Sequence, residues 1–317
     1  MDKKIWIIAA VIVIIAIVAG YFYTHGDDGT ITIGYQPSDH DAALFVAEAQ
    51  EKYKNQGLNV KTVQFNNGGD MLTAMASGEV DVGYLGLTPA LSGIANNANI
   101  KIVSGAQLEG SAILVSDKSG ISSVADLKGK NVGTLGEASI QHFLLSYALN
   151  ESGLSINDVH ESGMKSAEMV TALRDNKIDA IFVPEPFVTT VVENGYGKVL
   201  EDSGDIISEH PCCVIVASDN FINKHPDDVK KIVEINTEAT KFIQSNSSEA
   251  VKLLPSDIVS NASIEEVSLK GLEFVSGLSD SYKKSVLDFM HKEVELGVLK
   301  QNLTEEQIFY DTGAPSI

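Results

Sequence analysis

The sequence predicts an α/β protein built from two comparable lobes, each a mostly parallel sheet flanked by helices. Strand-like and helix-like segments alternate along the chain, and this alternation restarts after Ser116. One pattern is also written twice, since DMLTAMASGEVDVGYL at 70–85 aligns without a gap with EMVTALRDNKIDAIFV at 168–183. Upstream, IGYQPSDHDAALFV from Ile33 resembles VGTLGEASIQHFLL from Val132 at nearly the same offset. This spacing indicates two related units in series.

The first unit alternates strand and helix from its beginning. Short apolar runs bounded by turn residues predict strands, and apolar residues at helical spacing predict helices. In chain order the segments are strand ITIGY, helix DAALFVAEAQEKY, strand NVKTVQF, helix MLTAMAS, strand VDVGYL, helix ALSGIANNA and strands KIVSGAQ and SAILVS.

The second unit repeats this alternation and is followed by a helical C-terminal part. Its segments are VADLKGK, NVGTLG, IQHFLLSYALNESG, DVHES, MVTALRD, IDAIFV, FVTTVVENG and KVLEDS. CCVIVAS is one more apolar strand. The rest of the chain is predicted to be helical, including VKKIVEINTEATKFIQ and SYKKSVLDFMHKEVELGVL.

The second unit therefore lies inside the chain, and the C-terminal part completes the first. Lobe 1 is predicted at 29–112 and 209–317, and lobe 2 at 113–208. Two connections then join the lobes, near Glu109–Val115 and near His210–Val216. The extended segments SAILVS and CCVIVAS suit a pair of hinge strands, and a cleft between lobes joined in this way can open and close.

Length and charge limit the class of protein. The chain has 317 residues, a formal net charge of −20 and 44 % hydrophobic residues, which is enough for two α/β lobes with their own cores. Such acidity argues against a nucleic-acid partner, because phosphate recognition needs clustered Lys and Arg.

The N-terminus predicts a membrane segment. Lys3 and Lys4 precede an uncharged run from Ile5 to Tyr23, which as a helix would span about 28 Å. Positive charge before the run and Asp27 after it place the remainder of the chain outside the cytoplasm. Residues 1–28 are thus a membrane anchor, or alternatively a cleaved signal, followed by a tether.

The two cysteines are adjacent, at Cys212 and Cys213. Neighbouring residues of a strand point to opposite faces, which predicts two unbonded thiols, with a strained bridge between neighbours as the alternative. Without partner ligands nearby in sequence they are a poor zinc signature, so no metal site is predicted. No GxSxG, HExxH or P-loop motif occurs, and neither an enzyme activity nor a cofactor is predicted.

The loops that follow the parallel strands are the expected ligand site. Ligands of open parallel sheets bind beyond the carboxyl ends of the strands. The repeat identifies these loops as Gln36–His40, Gly86–Pro89, Gly136–Ser139 and Pro184–Phe187.

Three hydroxyl residues in these loops are expected to cap helices. Ser38, Thr88 and Ser139 precede helix-like segments, and Pro89 suits the first helical position. Three helix N-termini would then converge on the cleft and form an anion site without basic side chains. The alternative is that these hydroxyls only cap their helices.

A known family shares these motifs. GYQPSDHDAALFVAEAQ, ASGEVDVGYLGLTPAL, LEGSAILV, VADLKGKNVGTLGEASIQHFLL, NKIDAIFVPEPF and HPCCVIVASDNFI together resemble the solute-binding proteins of ABC importers for nitrate, taurine, alkanesulfonate and bicarbonate, over about residues 30–290. The resemblance implies a type II periplasmic-binding-protein fold. It also implies a monomer that closes on a small anionic solute and delivers it to a membrane permease with cytoplasmic ATPases.

The resemblance also implies a set of pocket residues. By motif position these are Gln36, Ser38, His40, Leu87, Thr88, Glu109, Ser111, Ser139 and Glu185. Many relatives place Trp before the Glu-Pro pair of the PEPF segment, whereas this chain has Pro184 at that position, so the Trp itself does not supply an aromatic wall here.

Two alternatives stay open at this point. One branch on the same fold makes the thiamine pyrimidine with a cysteine-rich segment, which would make the chain a related enzyme or a pyrimidine-precursor binding protein. The other alternative is a sensor that signals across the membrane, although the segment before Ile5 is too short for an output domain.

Overall fold

A computed structural model describes residues 29–256, 258–259 and 261–317. Among these residues, no helix is long and apolar enough to cross a membrane. The membrane segment predicted within residues 1–28 lies outside the described residues and stays a prediction.

The described residues form two β-sheets. The strands of the first are β1 (Thr30–Tyr35), β2 (Asn59–Gln64), β3 (Val82–Gly86), β4 (Ile100–Leu108), β10 (Pro211–Ser218) and β11 (Glu273–Gly277). Their spatial order is β11-β4-β10-β3-β1-β2. The strands of the second are β5 (Ser111–Val115), β6 (Asn131–Thr134), β7 (His160–Gly163), β8 (Ala180–Pro184) and β9 (Lys198–Asp202). Their spatial order is β7-β6-β8-β5-β9.

Helices cover both sheets. Those that precede β10 are α1 (Ala42–Ala49), α2 (Lys52–Asn55), α3 (Gly68–Ser77), α4 (Leu87–Ala95), α5 (Ile140–Glu151), α6 (Ser166–Arg174), α7 (Phe187–Glu193) and α8 (Ser203–Ile206). Those that follow β10 are α9 (Asp219–Lys224), α10 (Pro226–Ser245), α11 (Ser247–Ala250), α12 (Ala262–Gly271), α13 (Asp280–Glu295) and α14 (Glu305–Ile308).

Each sheet is mixed, so the prediction of mostly parallel sheets is wrong. Strand β1 runs parallel to β2 and β3, and β6 runs parallel to β7 and β8. The other pairings, β10 with β3 and β4, β11 with β4, and β5 with β8 and β9, are antiparallel. Strands β5 and β10 each enter a sheet from the other lobe, at the end where the parallel strands finish, and therefore run against them.

The sequence repeat has a packing cause in these parallel strands. Met71 and Met169 are fully buried. A Cβ added at Gly34 would lie 3.1 Å from Met71 Cγ, and one at Gly133 would lie 2.9 Å from Met169 Sδ. Glycine thus leaves room for the equivalent methionine in both lobes.

The repeated aspartates also have equivalent roles. Thr32 N donates to Asp81 Oδ2 over 2.9 Å, and Asn131 N donates to Asp179 Oδ2 over 2.8 Å. Each carboxylate therefore ties the turn before the third parallel strand to the first strand of the same trio. The two lobes are built on the same local contacts.

Strand β11 (Glu273–Gly277) was not expected, because the C-terminal part was predicted to be helical. Its residues pair with the outer edge of β4, and Phe274 is buried against the lobe core. A run of five residues is too short for periodicity to separate a strand from a helix end.

The links between the lobes are shorter than predicted. SAILVS and CCVIVAS lie inside the sheets as β5 and β10, so they are not hinge strands. The chain instead crosses at Glu109–Gly110 and at 207–210. These crossings are joined, because Glu109 N donates to the carbonyl of His210 over 3.1 Å and Glu209 N donates to Glu109 Oε1 over 2.6 Å.

Helix α13 packs against the second lobe although it belongs to the C-terminal part. The ring of Phe289 meets the ring of Phe143 edge-on, with centroids 4.8 Å apart. Lys292 Nζ lies 3.3 Å from the hydroxyl of Tyr147 and 5.1 Å from the centroid of its ring. The side of the molecule next to the links therefore has a shared apolar core.

Candidate functional site

A cavity of about 460 Å³ lies between the two sheets. Residues that end or follow each of the six parallel strands line it, so both parallel trios point their carboxyl ends at one space. This is the position that open parallel sheets offer to ligands. The beginning of β10 adds Cys212 and Cys213 to the wall, because β10 runs antiparallel to β3.

Four helices of nine or more residues begin at the cavity wall, namely α3, α4, α5 and α6. Asn67 caps α3 by accepting a hydrogen bond from Asp70 N, and Ser139 caps α5 by accepting one from His142 N. Each helix has nine or more residues, and its first turn carries backbone N–H groups that have no partner within the helix and bear partial positive charge. The wall therefore offers main-chain donors to an anionic group.

Four of the predicted pocket residues lie in the cavity wall: Gln36, Ser38, His40 and Ser139. Ser38 Oγ crosses between the lobes, because it donates to the carbonyl oxygen of Glu185 over 3.0 Å. Ser38 caps a 3-10 turn of three residues rather than an α-helix, by accepting a bond from His40 N.

Two predicted residues on α4 lie behind the wall. Leu87 is fully buried in the core. Thr88 was expected to cap a helix, and this is wrong, because β3 runs on to Gly86 and the helix begins at Leu87. The hydroxyl of Thr88 donates instead to Glu293 of α13, so it does not lie beside Ser38 and Ser139.

The three remaining predicted residues lie outside the cavity wall and form hydrogen bonds to other residues of the protein. Glu109 lies in the first link, where its carboxylate accepts from Glu209 N. Ser111 is buried and accepts a hydrogen bond from Gln141 Nε2 over 3.0 Å. The carboxylate of Glu185 accepts hydrogen bonds from the main-chain N–H and the hydroxyl of Thr189, in the first turn of α7. The main chain of Glu185 accepts the bond across the lobes.

Several wall residues were missed, and the repeat could have identified two of them. Lys165 and Asn67 line the cavity, and each precedes the helix of its own repeat. The offset of 98 that aligns Asp70 with Glu168 also aligns Asn67 with Lys165. Among the described wall residues, Lys165 is the one Lys or Arg side chain, so the predicted absence of a basic side chain is wrong.

Burial keeps one acidic residue of the cavity wall largely uncharged. Asp41 lines the cavity and accepts a hydrogen bond from Gln36 N over 3.1 Å. Burial raises the pKa of Asp41 to about 8, although that amide bond and nearby His40 lower it. The carboxyl is therefore largely neutral at pH 7.

The fold and this cavity define a two-lobed solute-binding architecture. The NMT1-like family model matches residues 24–254, which is more than half of the chain. The chain belongs to the NMT1-like family.

Known proteins resemble the chain over most of its length. It is 28 % identical over 212 residues to the taurine-binding periplasmic protein of Escherichia coli, covering 66 % of this chain and 65 % of that protein. The crystal structure of the periplasmic aliphatic sulphonate binding protein from Escherichia coli superposes with a TM-score of 0.76 and 21 % identity, covering 89 % of this chain and 92 % of the other. This similarity shows that the fold is that of periplasmic binding proteins.

An enzyme is a more distant relative. The chain is 24 % identical over 243 residues to the 4-amino-5-hydroxymethyl-2-methylpyrimidine phosphate synthase of Saccharomyces cerevisiae, covering 71 % of this chain and 70 % of that protein. The more similar relative and the structural neighbour are binding proteins.

Proposed function

We propose that this protein is the extracytoplasmic solute-binding component of an ABC importer and captures a small anionic solute, such as a sulfonate, taurine or nitrate. One observation carries the proposal: four helix N-termini open onto one cavity that both parallel trios line. Main-chain N–H groups and helix dipoles stabilise an anion at such a place. The nearby amine of Lys165 adds an ionic contact.

The partners follow from this role. The solute binds the closed state more tightly than the open state, and this difference in binding energy drives closure without any covalent bond being made or broken. Transport would therefore depend on a membrane permease and its ATPases. The predicted N-terminal segment would hold the binding protein at the outer face of the cell membrane.

We further propose that the two lobes, which divide at the links Glu109–Gly110 and 207–210, close by rotation about these joined links. The bond from Ser38 Oγ to the carbonyl of Glu185 supports this, because it connects the lobes at the cavity. Such a bond can form only when the two sheets approach each other.

A ligand panel tests the proposed function. The full-length protein in mild detergent is heated with taurine, alkanesulfonates, nitrate, bicarbonate and a thiamine pyrimidine precursor. We expect one of the anions to raise the melting temperature, because a ligand at 100 times its dissociation constant adds about 2.7 kcal/mol to the free energy of unfolding. Lys165→Gln is expected to weaken that ligand's binding by roughly tenfold, which corresponds to one lost charge-assisted hydrogen bond.

Lys177→Gln is the matched control, since Lys177 is an exposed lysine of the same lobe that pairs with Asp175. It should leave the affinity unchanged. A shift with the pyrimidine precursor alone, or with none of the compounds, would contradict the proposed function.

A second prediction concerns closure. Ser38→Ala removes the hydroxyl that bonds across the lobes and is expected to weaken binding of the solute found in the panel by about 1 kcal/mol, or roughly fivefold. Titration calorimetry measures this change. Ser285→Ala is the control, because its hydroxyl bonds to the carbonyl of Ser281 within α13. Equal affinity of both variants would refute a role of Ser38 in closure.

A further inference from the structure

Three potential metal ligands meet in the cavity wall: His40, Cys212 and Cys213. Their ligand atoms all lie within 4.8 Å of one another. His40 Nδ1 is 3.4 Å from Cys213 Sγ and 3.6 Å from Cys212 Sγ, and the two sulfur atoms are 3.9 Å apart. Both cysteines are free thiols.

The strand geometry explains how adjacent cysteines reach one side. Regular alternation would send the two thiols to opposite faces of the sheet. The pairing of β10 with β4 is irregular at this place, with register shifts between Pro211 and Cys213 and between Cys213 and Val214. A bulge of this kind redirects a side chain. Both sulfur atoms consequently face His40.

The distances match those of a tetrahedral site. At tetrahedral angles, zinc bonds of about 2.3 Å to sulfur and about 2.0 Å to nitrogen place neighbouring ligands about 3.8 Å apart for two sulfurs and about 3.5 Å apart for sulfur and nitrogen. The corresponding distances here are 3.9 Å for the sulfur pair and 3.4 and 3.6 Å for the sulfur–nitrogen pairs. A metal ion would require only small movements of these side chains.

The other imidazole nitrogen supports the same arrangement. His40 Nε2 lies 3.0 Å from the carbonyl oxygen of Gly110, and a carbonyl can only accept a hydrogen bond. Nε2 therefore carries a proton, and Nδ1 is the ring nitrogen that faces the two sulfurs. Metal-binding histidines are commonly oriented by such a bond from the second nitrogen.

The burial of the three side chains leaves a bound ion accessible from one side only, the cavity. His40 and Cys212 are buried at 3 % and 1 % exposure, whereas Cys213 is half-buried. Because all three residues line the cavity, a fourth ligand could reach an ion only from that space. Three protein ligands with one open position is the arrangement of zinc sites that bind an exchangeable group.

We propose that His40, Cys212 and Cys213 bind a thiophilic divalent cation of the zinc class, with its fourth coordination position open to the cavity. Two thiolates and one imidazole favour such an ion over magnesium or calcium, which prefer oxygen ligands. The ion would lie in the wall of the proposed solute cavity, and the proposal requires no particular solute.

Cobalt(II) titration tests the site. The full-length protein is prepared without a polyhistidine tag, reduced and freed of metal with a chelator. We expect one equivalent of cobalt to produce a thiolate-to-cobalt charge-transfer band, which zinc then removes by displacement. The chain contains only these two cysteines, so any such band reports this site.

Variants identify each ligand. Cys213→Ser should remove about half of the band per bound cobalt, and His40→Gln should weaken cobalt binding by about tenfold or more. His160→Gln, at an exposed histidine of β7, is the control and should change neither quantity. Unfolding curves of each variant establish that it is folded. Cys213 is chosen for replacement rather than Cys212, because Cys212 is fully buried and its replacement could prevent folding.

Two results would overturn the proposal. One is the absence of a charge-transfer band in folded protein whose thiols are both reduced. The other is air oxidation to a Cys212–Cys213 disulfide that proceeds at the same rate with and without zinc. Mass spectrometry measures this rate. Protection of the thiols by stoichiometric zinc would support the site.

Discussion

Replacing Gly110 by alanine is expected to lower the free energy of unfolding by about 2–5 kcal/mol. Gly110 lies in the first link with φ +74°, a left-handed conformation that costs a residue with a Cβ about 1–2 kcal/mol. The added Cβ would overlap Leu272 Cδ2 and Gln107 Nε2 and would lie 3.0 Å from His40 Nε2. Overpacking of this kind costs a further amount of about 1–3 kcal/mol. Urea unfolding followed by circular dichroism measures the loss.

Gly120→Ala is the matched control. Gly120 has nearly the same φ, +71°, but its Cβ would meet no atom within 4 Å. Only the conformational cost of about 1–2 kcal/mol should appear. Equal losses in the two variants would show that the crowding around the link does not constrain the molecule.

Raising the pH is expected to destabilise the protein through Glu293, and Glu293→Gln should abolish that part of the effect. Glu293 is fully buried, and its Oε2 has no hydrogen-bond partner among the described residues. Burial raises its pKa from 4.5 to about 8, although the bond from Thr88 lowers it. Stabilisation from the raised pKa is fully present below about pH 4.5, where both states are protonated, and is lost as the pH rises through about 8.

The expected difference is large. A rise from 4.5 to about 8 corresponds to at most about 5 kcal/mol. Glutamine resembles the protonated acid, so the variant should match the wild type at pH 5 and exceed its stability at pH 9. Glu295→Gln, at an exposed carboxyl of the same helix, should follow the wild type at both values. A Glu293 variant with an unchanged pH profile would refute the assignment.

The repeat allowed much of the fold and part of the cavity to be predicted from sequence. Ser139 and the loop around Gln36 follow parallel strands, and the position of those strands decides where their loops meet. Thr88 could not be placed correctly, because the end of β3 depends on its pairing with β10, whose Cys213 lies opposite Gly86. Side chains that follow local patterns were predictable, whereas those set by distant pairing were not.

The cysteines illustrate the same limit. Alternation along a regular strand predicts that Cys212 and Cys213 point apart, and this prediction is wrong for β10. The bulges that bring them together arise from the register with β4, more than a hundred positions earlier in the chain. His40, which meets both thiols, comes from yet another segment. Residue spacing in the sequence cannot predict a contact that depends on three separate segments of the chain.

The central position of β10 has a consequence for biosynthesis. It pairs with β3 on one side and β4 on the other, yet the ribosome makes it only after the whole second sheet. Until residue 218 has emerged, β3 lacks one of its two neighbours and β4 lacks both, whereas the inserted sheet already has all five of its strands. The half that starts first must therefore wait with open strand edges, and a nascent chain halted before β10 should hold a finished inner sheet and an unfinished outer one.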